Sequence, residues 1–279
     1  MLRSEHKTRV RELAASFAHL NPGREPLELA AAIKARLEYA DLGDKDGMFD
    51  PVRNVVFLSS TVRPERQRFT MAHEVTHALI LGDDDLLSDL HDAYEGDELE
   101  ENIETLCNVG ASEILVPQVQ LEPLLTRIGR GARAISKISS QFQISRSAAC
   151  VTLAEHLDSS AIVAILRAKG KVASRPRSGL STRDVEGLTT YEIGQASGKG
   201  KLVLEVEFST RTEHMKYPLV TGTPIPAEHT AFKAYESGLP LEEESFIPFR
   251  SGKQMKAVVD AFPEGGVVFT VFTALKTAK

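Results

Sequence analysis

The sequence predicts an α+β protein of three domains, over residues 1–120, 121–158 and 159–279. Three observations favour this organisation. The 279 residues exceed the usual size of one domain. Before Ser159, apolar residues recur with helical spacing over most of the chain, and one short pair of predicted strands interrupts this pattern. Beyond Ser159, stretches rich in β-branched residues predict strands instead.

The first domain is predicted to begin with two helices, over residues 4–20 and 26–39. They are separated by Asn21-Pro22-Gly23, a combination that breaks helices. Residues 47–58 then predict two strands around a turn. Strands beside a helix would form a layered domain, and their sheet would offer an edge for an extended peptide.

A helix is predicted to begin at Pro64, a residue suited to a first helical turn, and to end at Gly82. Residues 83–104 follow, and they are densely acidic without any Lys or Arg. Such a run predicts a solvated loop. The alternative is that its charge repels acidic molecules and attracts a basic segment of a substrate.

Charge and targeting signals limit the classes of function. The formal net charge of −6 argues against nucleic-acid binding through bulk charge, because phosphates require a basic surface. The amino terminus is polar and no apolar run is long enough to span a bilayer, so we expect a cytoplasmic protein without membrane partners. Cys107 and Cys150 are not expected to form a disulfide in that compartment.

Residues 69–80 carry the most informative motif, a His-Glu-x-x-His sequence within an apolar helical run. His73 and His77 are separated by one helical turn, so both rings can bind one cation. Glu74 lies about 100° further around the helix, beside the metal, where a base for the attacking water belongs. A chance match on a solvated face is disfavoured, because apolar neighbours surround these three polar side chains.

A catalytic zinc site needs a third protein ligand and leaves its fourth position to water. The helix predicted over residues 99–115 carries one carboxylate on its inward stripe, Glu104. Asn108 lies one turn further along, where its amide either orients a ligating histidine or simply faces solvent. His91 and Tyr94, in the acidic stretch, are the candidates for stabilising an oxyanion.

The second domain is predicted to be helical, over residues 118–128 and 132–157. Within it, residues 138–153 resemble a helix-turn-helix whose second helix is capped by Ser145. Arg146 is nearly the only residue on that helix suited to reading DNA bases. Such a unit either binds DNA or packs domains together, and the shortage of base-reading residues favours packing.

The third domain combines predicted strands over residues 161–166, 201–208 and 266–272 with a helix over 227–237. A linker is predicted over residues 174–182. This mixture resembles the GAF type of small-molecule sensor domain, although many α+β domains share the pattern. The resemblance implies that a small-molecule signal acts on the third domain.

Three features together resemble the ImmA/IrrE metallopeptidase family. They are residues 63–69, the His-Glu-x-x-His helix, and Glu104-x-x-x-Asn108 leading into Leu115-Val116-Pro117. The resemblance covers most of the chain and is densest over residues 62–117. It implies a gluzincin-like peptidase fold and a narrow substrate range.

The same resemblance implies roles for the motif residues and a substrate. His73, His77 and Glu104 would be the metal ligands, and Glu74 would be the catalytic acid and base. The implied substrate is a helix-turn-helix transcriptional repressor, cut once and inactivated, in a response to radiation and DNA damage. The chain would then be a site-specific zinc endopeptidase.

Two alternatives remain at the level of the sequence. The chain could be a DNA-binding transcriptional activator with a structural zinc site, although structural zinc normally has four protein ligands and three are offered here. A carboxyl-terminal sensor that gates the peptidase is compatible with proteolysis. Imidazole and carboxylate ligands also accept Mn²⁺ or another divalent ion in place of Zn²⁺.

Overall fold

A computed structural model describes residues 2–170 and 202–275. The chain divides into two compact units, Met1–Leu157 and Asp158–Lys279. A further division of the first unit between residues 120 and 121 stays a prediction. The linker predicted over residues 174–182 lies outside the described residues. Within the described ranges, no helix combines the length and apolar character needed to cross a bilayer.

The first unit surrounds a three-stranded sheet with helices. Helices α1 (Ser4–Leu20) and α2 (Pro26–Ala32) precede strands β1 (Arg36–Ala40), β2 (Gly47–Asp50) and β3 (Val55–Ser59). The strand order is β1-β3-β2, with β1 parallel and β2 antiparallel to β3. The apolar strand β3 is central and largely buried. Strand β2 therefore forms one edge of the sheet.

The helix predicted over residues 26–39 is shorter than the sequence indicated. Helix α2 ends at Ala32, and the chain turns at Lys34, which has a φ of 57°. Residues from Arg36 onward form β1, because their main chain pairs in parallel with β3. This pairing partner lies further along the chain, so the tertiary context overrode the local helical pattern.

The acidic stretch over residues 83–104 is not a loop, and that prediction was wrong. It forms helix α4 (Asp84–Ala93) and the beginning of helix α5 (Gly96–Leu115). The Asp83 side chain caps α4 by accepting a hydrogen bond from the Leu86 backbone N–H at 3.0 Å. Leu86 and Leu90 are buried. The acidic residues therefore occupy the solvent face of an amphipathic helix.

The central helix α3 (Pro64–Leu81) begins with proline at its first turn and ends at Gly82, as the sequence predicted. It packs against β2, β3 and α5. Thr70, Met71, Val75 and other residues of its inner face are buried. The helix thus brings the His-Glu-x-x-His motif to the junction between the sheet and α5.

The first unit ends in three helices, α6 (Gln118–Ile128), α7 (Ala132–Phe142) and α8 (Arg146–Glu155). Gln143, which stands where a turn glycine is usual, has a φ of 53° between α7 and α8. Ser145 caps α8 by accepting a hydrogen bond from the Ala148 N–H at 3.1 Å. Arg68 of α3 donates to the Gln143 carbonyl at 3.0 Å, which joins the α7–α8 turn to the motif helix.

In the part of the second unit that the structure describes, the chain forms a six-stranded antiparallel sheet and one helix. Its strands are β4 (Ala161–Gly170), β5 (Leu202–Arg211), β6 (Pro224–Ile225), β7 (Leu241–Pro248), β8 (Gln254–Glu264) and β9 (Val267–Ala274). Their order is β6-β5-β4-β9-β8-β7, and helix α9 (Thr230–Ser237) packs on β7, β8 and β9. The three strands and the helix predicted beyond Ser159 correspond to β4, β5, β9 and α9, and β6, β7 and β8 are additional.

His229 holds α9 against this sheet. Its Nδ1 accepts a hydrogen bond from the Ala231 N–H at 3.1 Å, and its Nε2–H donates to the Phe246 carbonyl at 2.7 Å. These two bonds require the neutral ring. The side chain is fully buried, and burial lowers the pKa of His229.

We expect His229→Ala to destabilise the second unit by about 2–4 kcal/mol, since a helix cap is lost and a buried carbonyl loses its donor. In the unaltered protein, stability should fall as the pH drops below about 6.5, because the unfolded chain takes up a proton first. Hydrogen exchange of β4 and β9 amides at pH 7.5 and 5.5 measures both effects. His214 is exposed, so His214→Gln provides the matched control. If the stability of His229→Ala responded to pH as strongly as that of the unaltered protein, the response could not be assigned to His229.

Candidate metal centre

A cleft of about 910 Å³ lies between β2, α3 and the middle of α5. Its lining combines the motif residues of α3 with two polar residues of α5 and residues of the edge strand β2. The residues concerned are Gly47, Met48, Phe49, Phe69, Thr70, His73, Glu74, His77, Glu104 and Asn108. The cleft therefore gathers the predicted ligands, the predicted base and an exposed strand edge.

His73, His77 and Glu104 converge at the floor of this cleft. The His73 and His77 ring centroids are 5.0 Å apart. One Glu104 oxygen lies 3.2 Å from His73 Nε2, and the other lies 3.2 Å from His77 Nε2. Burial, followed by the charge of His73, lowers the pKa of His77 and so favours its neutral, metal-binding form. Two neutral imidazoles and a carboxylate are a ligand set that suits zinc.

Asn108 lies on the far side of His73. Its Oδ1 is 3.1 Å from His73 Nδ1, so the Nδ1–H donates to the amide oxygen. This hydrogen bond leaves the Nε2 lone pair directed towards Glu104 and the centre of the site. An outer partner of this kind fixes the tautomer and orientation of a ligating imidazole.

Glu74 occupies a drier position than the other carboxylate. It is 7% exposed, whereas the Glu104 side chain is 59% exposed. Burial, reinforced by the charge of Glu104, raises the pKa of Glu74 to about 7, while a hydrogen bond from the Phe49 backbone N–H opposes the increase. A carboxyl group with a pKa near neutrality can both accept and donate a proton.

Cys107 is a third possible partner of the two histidines, because a sulfur, a His73 nitrogen and a His77 nitrogen lie within 4.8 Å of one another. The thiol is fully buried, and burial raises its pKa far above the ordinary range, with smaller contributions from Glu104 and Glu74. A thiol must lose its proton to bind a metal. The distances and charge therefore favour Glu104 as the third ligand. In the sequence, Cys107 follows Glu104 by three residues and is placed to approach the metal, although a free cysteine on an apolar helix is more often a small core residue.

The spacing of α3 and α5 depends on a close contact between Gly110 and Thr76. A methyl group on Gly110 would lie 2.7 Å from Thr76 Oγ1 and closer still to Thr76 Cγ2. Thr76 is fully buried, and its hydroxyl donates to the Ala72 carbonyl at 2.9 Å. The two helices that carry His77 and Glu104 can approach each other because residue 110 has no side chain.

We expect Gly110→Ala to weaken metal binding at least about 10-fold, because a displacement of the order of 1 Å is costly in a site of this kind. Helix propensity alone predicts that Gly110→Ala would instead raise the free energy of unfolding, by about 1 kcal/mol. Isothermal titration with zinc measures the affinity. Adding Thr76→Ala to Gly110→Ala should restore metal binding. If Gly110→Ala alone left the metal affinity unchanged, the contact between Gly110 and Thr76 would not set the spacing of α3 and α5.

The remaining predicted site residues lie elsewhere. His91 is exposed on α4, and Tyr94 is buried with its hydroxyl accepting a hydrogen bond from the Arg3 N–H at 2.9 Å. Neither is among the described residues that line the cleft. Arg146 is exposed at the first position of α8. The geometry brings together five of the predicted residues and leaves these three apart.

Comparison with known proteins identifies a family and a related fold. Residues 30–154 match the peptidase M78 family, described as an IrrE N-terminal-like domain. A solved Mycobacterium tuberculosis transcriptional regulator shares the fold, with a TM-score of 0.51 at 11% identity, over 98% of this chain and 77% of that chain.

Two relatives are similar over nearly the whole chain. The chain is 44% identical to the radiation response metalloprotease IrrE of Deinococcus radiodurans, over 95% of its own length and 77% of that protein. It is 43% identical to the radiation response metalloprotease IrrE of Deinococcus deserti, over 95% of its own length and 88% of that protein. At this level of identity and coverage, the chain belongs to the IrrE family of metallopeptidases.

Proposed function

We propose that the chain is a zinc-dependent endopeptidase that cleaves a helix-turn-helix transcriptional repressor at one site during a response to radiation and DNA damage. The observation that carries this proposal is the convergence of His73, His77 and Glu104 beside the buried carboxyl group of Glu74. The names of the two Deinococcus relatives support the response, and the resemblance to the ImmA/IrrE family supports the substrate. Because repressors act on cytoplasmic DNA, the reaction would take place in the cytoplasm.

His73, His77 and Glu104 would hold the metal, and the gluzincin-like ligand set also accepts Mn²⁺. When bound, the cation supplies Lewis-acid chemistry, lowering the pKa of a water and polarising the substrate carbonyl. Glu74 accepts the proton of the attacking water and delivers it to the departing amine. Asn108 keeps His73 oriented through the Nδ1–H hydrogen bond.

The substrate would lie extended along β2. This strand is at the edge of its sheet and lines the cleft through Gly47, Met48 and Phe49. An extended peptide can pair with the main-chain groups of such an edge, other than the Phe49 N–H, which already donates to Glu74. Gly47 also allows β2 to approach α3, since a Cβ at residue 47 would collide with the Thr70 methyl group. The scissile bond would therefore pass directly over the metal ligands.

We further propose that residues 121–158 form a helix-turn-helix-like domain. This domain packs against the peptidase domain and does not read DNA bases. The turn at Gln143, hydrogen-bonded to Arg68 of the motif helix, supports this role. Residues 159–279 would be a GAF-like sensor domain that receives a small-molecule signal, which the α+β composition of the second unit supports. The net charge of −6 supports a protein substrate over direct DNA binding through Arg146.

Incubation with purified helix-turn-helix repressors, with and without a chelator, tests the proposal. Mass spectrometry of the products should show two fragments from a single cleavage in one repressor, and the chelator should abolish both. Cleavage that persists in the chelator would remove the metal from the reaction. Sequence-selective, salt-dependent DNA binding without any cleavage would instead support the transcriptional activator.

A further inference from the structure

A second cavity, of about 570 Å³, lies in the first unit beside the metal cleft. We call it the side groove. Phe69 and Asn108 line both cavities, so the side groove continues from the cleft around the α5 side of the metal centre. A protein bound with its scissile bond in the cleft could extend into this groove.

The two walls of the side groove are helical faces. Helix α5 contributes Thr105, Asn108, Val109 and Ser112, and helix α8 contributes Ala148, Val151, Thr152 and Glu155. In each set the residues recur at positions i, i+3, i+4 and i+7, which is the spacing of one face of a helix. Most of these side chains are small, so a third helix could approach both walls closely.

The floor of the groove is apolar, and its walls are open to solvent. Leu115, Leu121 and Ile144 form part of the floor and are buried. Val151 is 40% exposed on the α8 wall, and Thr105 and Ser112 are exposed on the α5 wall. Apolar surface between two exposed helical faces is typical of a groove that accepts the apolar face of another helix.

The charges around the groove favour a protein over a nucleic acid. Glu113 and Glu155 are its acidic lining residues, and Arg11 and the titratable His156 are the others that can carry charge. Carboxylates repel phosphates, and nucleic-acid sites require clustered Lys and Arg. The same carboxylates would attract Lys or Arg residues at the borders of an amphipathic helix.

We propose that the side groove binds an amphipathic helix of the protein substrate, with apolar residues spaced three and four apart and basic residues beside them. This inference rests on the proposed function, because it assigns the partner of the same active centre. The helix anchors the substrate outside the cleft while an adjacent extended segment lies along β2. Docking of two separate segments accounts for a narrow substrate range, since a protein must present both in the correct spacing.

Binding and cleavage are measured separately to test this proposal. Zinc-loaded Glu74→Gln protein is titrated against the intact helix-turn-helix repressors by biolayer interferometry. Val151→Asp and, on the opposite wall, Ser112→Trp are then introduced into that background. Val119→Asp is the matched control, because Val119 is 79% exposed on α6 and lies outside the groove lining. Zinc content and circular dichroism establish that each variant is folded.

We expect both groove variants to weaken binding of a repressor more than about 10-fold, as substitution in the centre of an interface does, while Val119→Asp leaves it unchanged. Unchanged binding in Val151→Asp and Ser112→Trp would overturn the proposal, as would the absence of binding to every repressor. If the protein bound double-stranded DNA and Val151→Asp weakened that binding, the groove would be assigned to nucleic acid. That result would also overturn the proposal. Cleavage by the unaltered protein reports on the proposed function independently.

Discussion

Glu74→Gln is expected to abolish cleavage while the protein retains its metal and its fold. The amide is nearly isosteric with the carboxylate, but it cannot accept the proton of the attacking water or return it to the leaving amine. Loss of general acid–base catalysis reduces turnover by about 10²–10⁴-fold. Because Glu74 is buried with a pKa raised to about 7, replacing it with a neutral group should cost little stability. Mass spectrometry of a repressor digest and elemental analysis provide the two measurements.

Glu65→Gln is the matched control for this variant. Glu65 lies in the first turn of α3, on the same helix as the motif, and is exposed. The control should cleave at the rate of the unaltered protein. If Glu74→Gln also cleaved at that rate, Glu74 would not be the base.

Glu104→Ala is expected to release the metal and therefore abolish cleavage by a different route. The Glu104 side chain lies 3.2 Å from the Nε2 atoms of both His73 and His77. Among the described residues it is the only carboxylate that contacts both rings, so Glu104→Ala removes the anionic ligand of the site. The loss of affinity should exceed the roughly 10–100-fold that removal of an outer partner costs. Asn108→Ala, which removes such a partner from His73, should fall within that smaller range. Competition with a zinc chelator gives both affinities.

Two comparisons separate this result from general destabilisation. Glu101→Ala alters an exposed carboxylate on the same helix and should retain full metal affinity. Cys107→Ala tests the competing ligand, because its thiol also lies near both histidines. Retention of metal by Glu104→Ala together with its loss from Cys107→Ala would reverse the ligand assignment.

Elements whose sequence signal lies within their own segment have the predicted bounds. Helix α1 and the motif helix α3 have the predicted bounds because their apolar periodicity and terminal residues lie within the segment itself. Helix α4 was missed because charge density was interpreted as solvation, although Leu86 and Leu90 mark a buried stripe. A helical spacing of two leucines within ten residues is a weak signal beside so many acidic residues.

Strands were harder to predict where pairing, rather than composition, stabilises them. Strand β1 forms because β3 is available as a parallel partner, and that information lies about twenty residues further along the chain. Strand β7 begins with Leu241 followed by three glutamates, and it is the edge strand of its sheet. Charges at an edge protect a sheet from unwanted pairing, so an edge strand is often the least apolar one.

The sequence by itself determined the family, the motif helix and the pairing of His73 with His77, because residues four apart on a helix must share a face. Only the tertiary structure decided that Glu104 meets both rings and that Cys107 lies beside them. It also decided the burial that raises the pKa of Glu74 and the groove between α5 and α8. These properties depend on distances between separate elements, and packing contacts such as Gly110 against Thr76 set those distances.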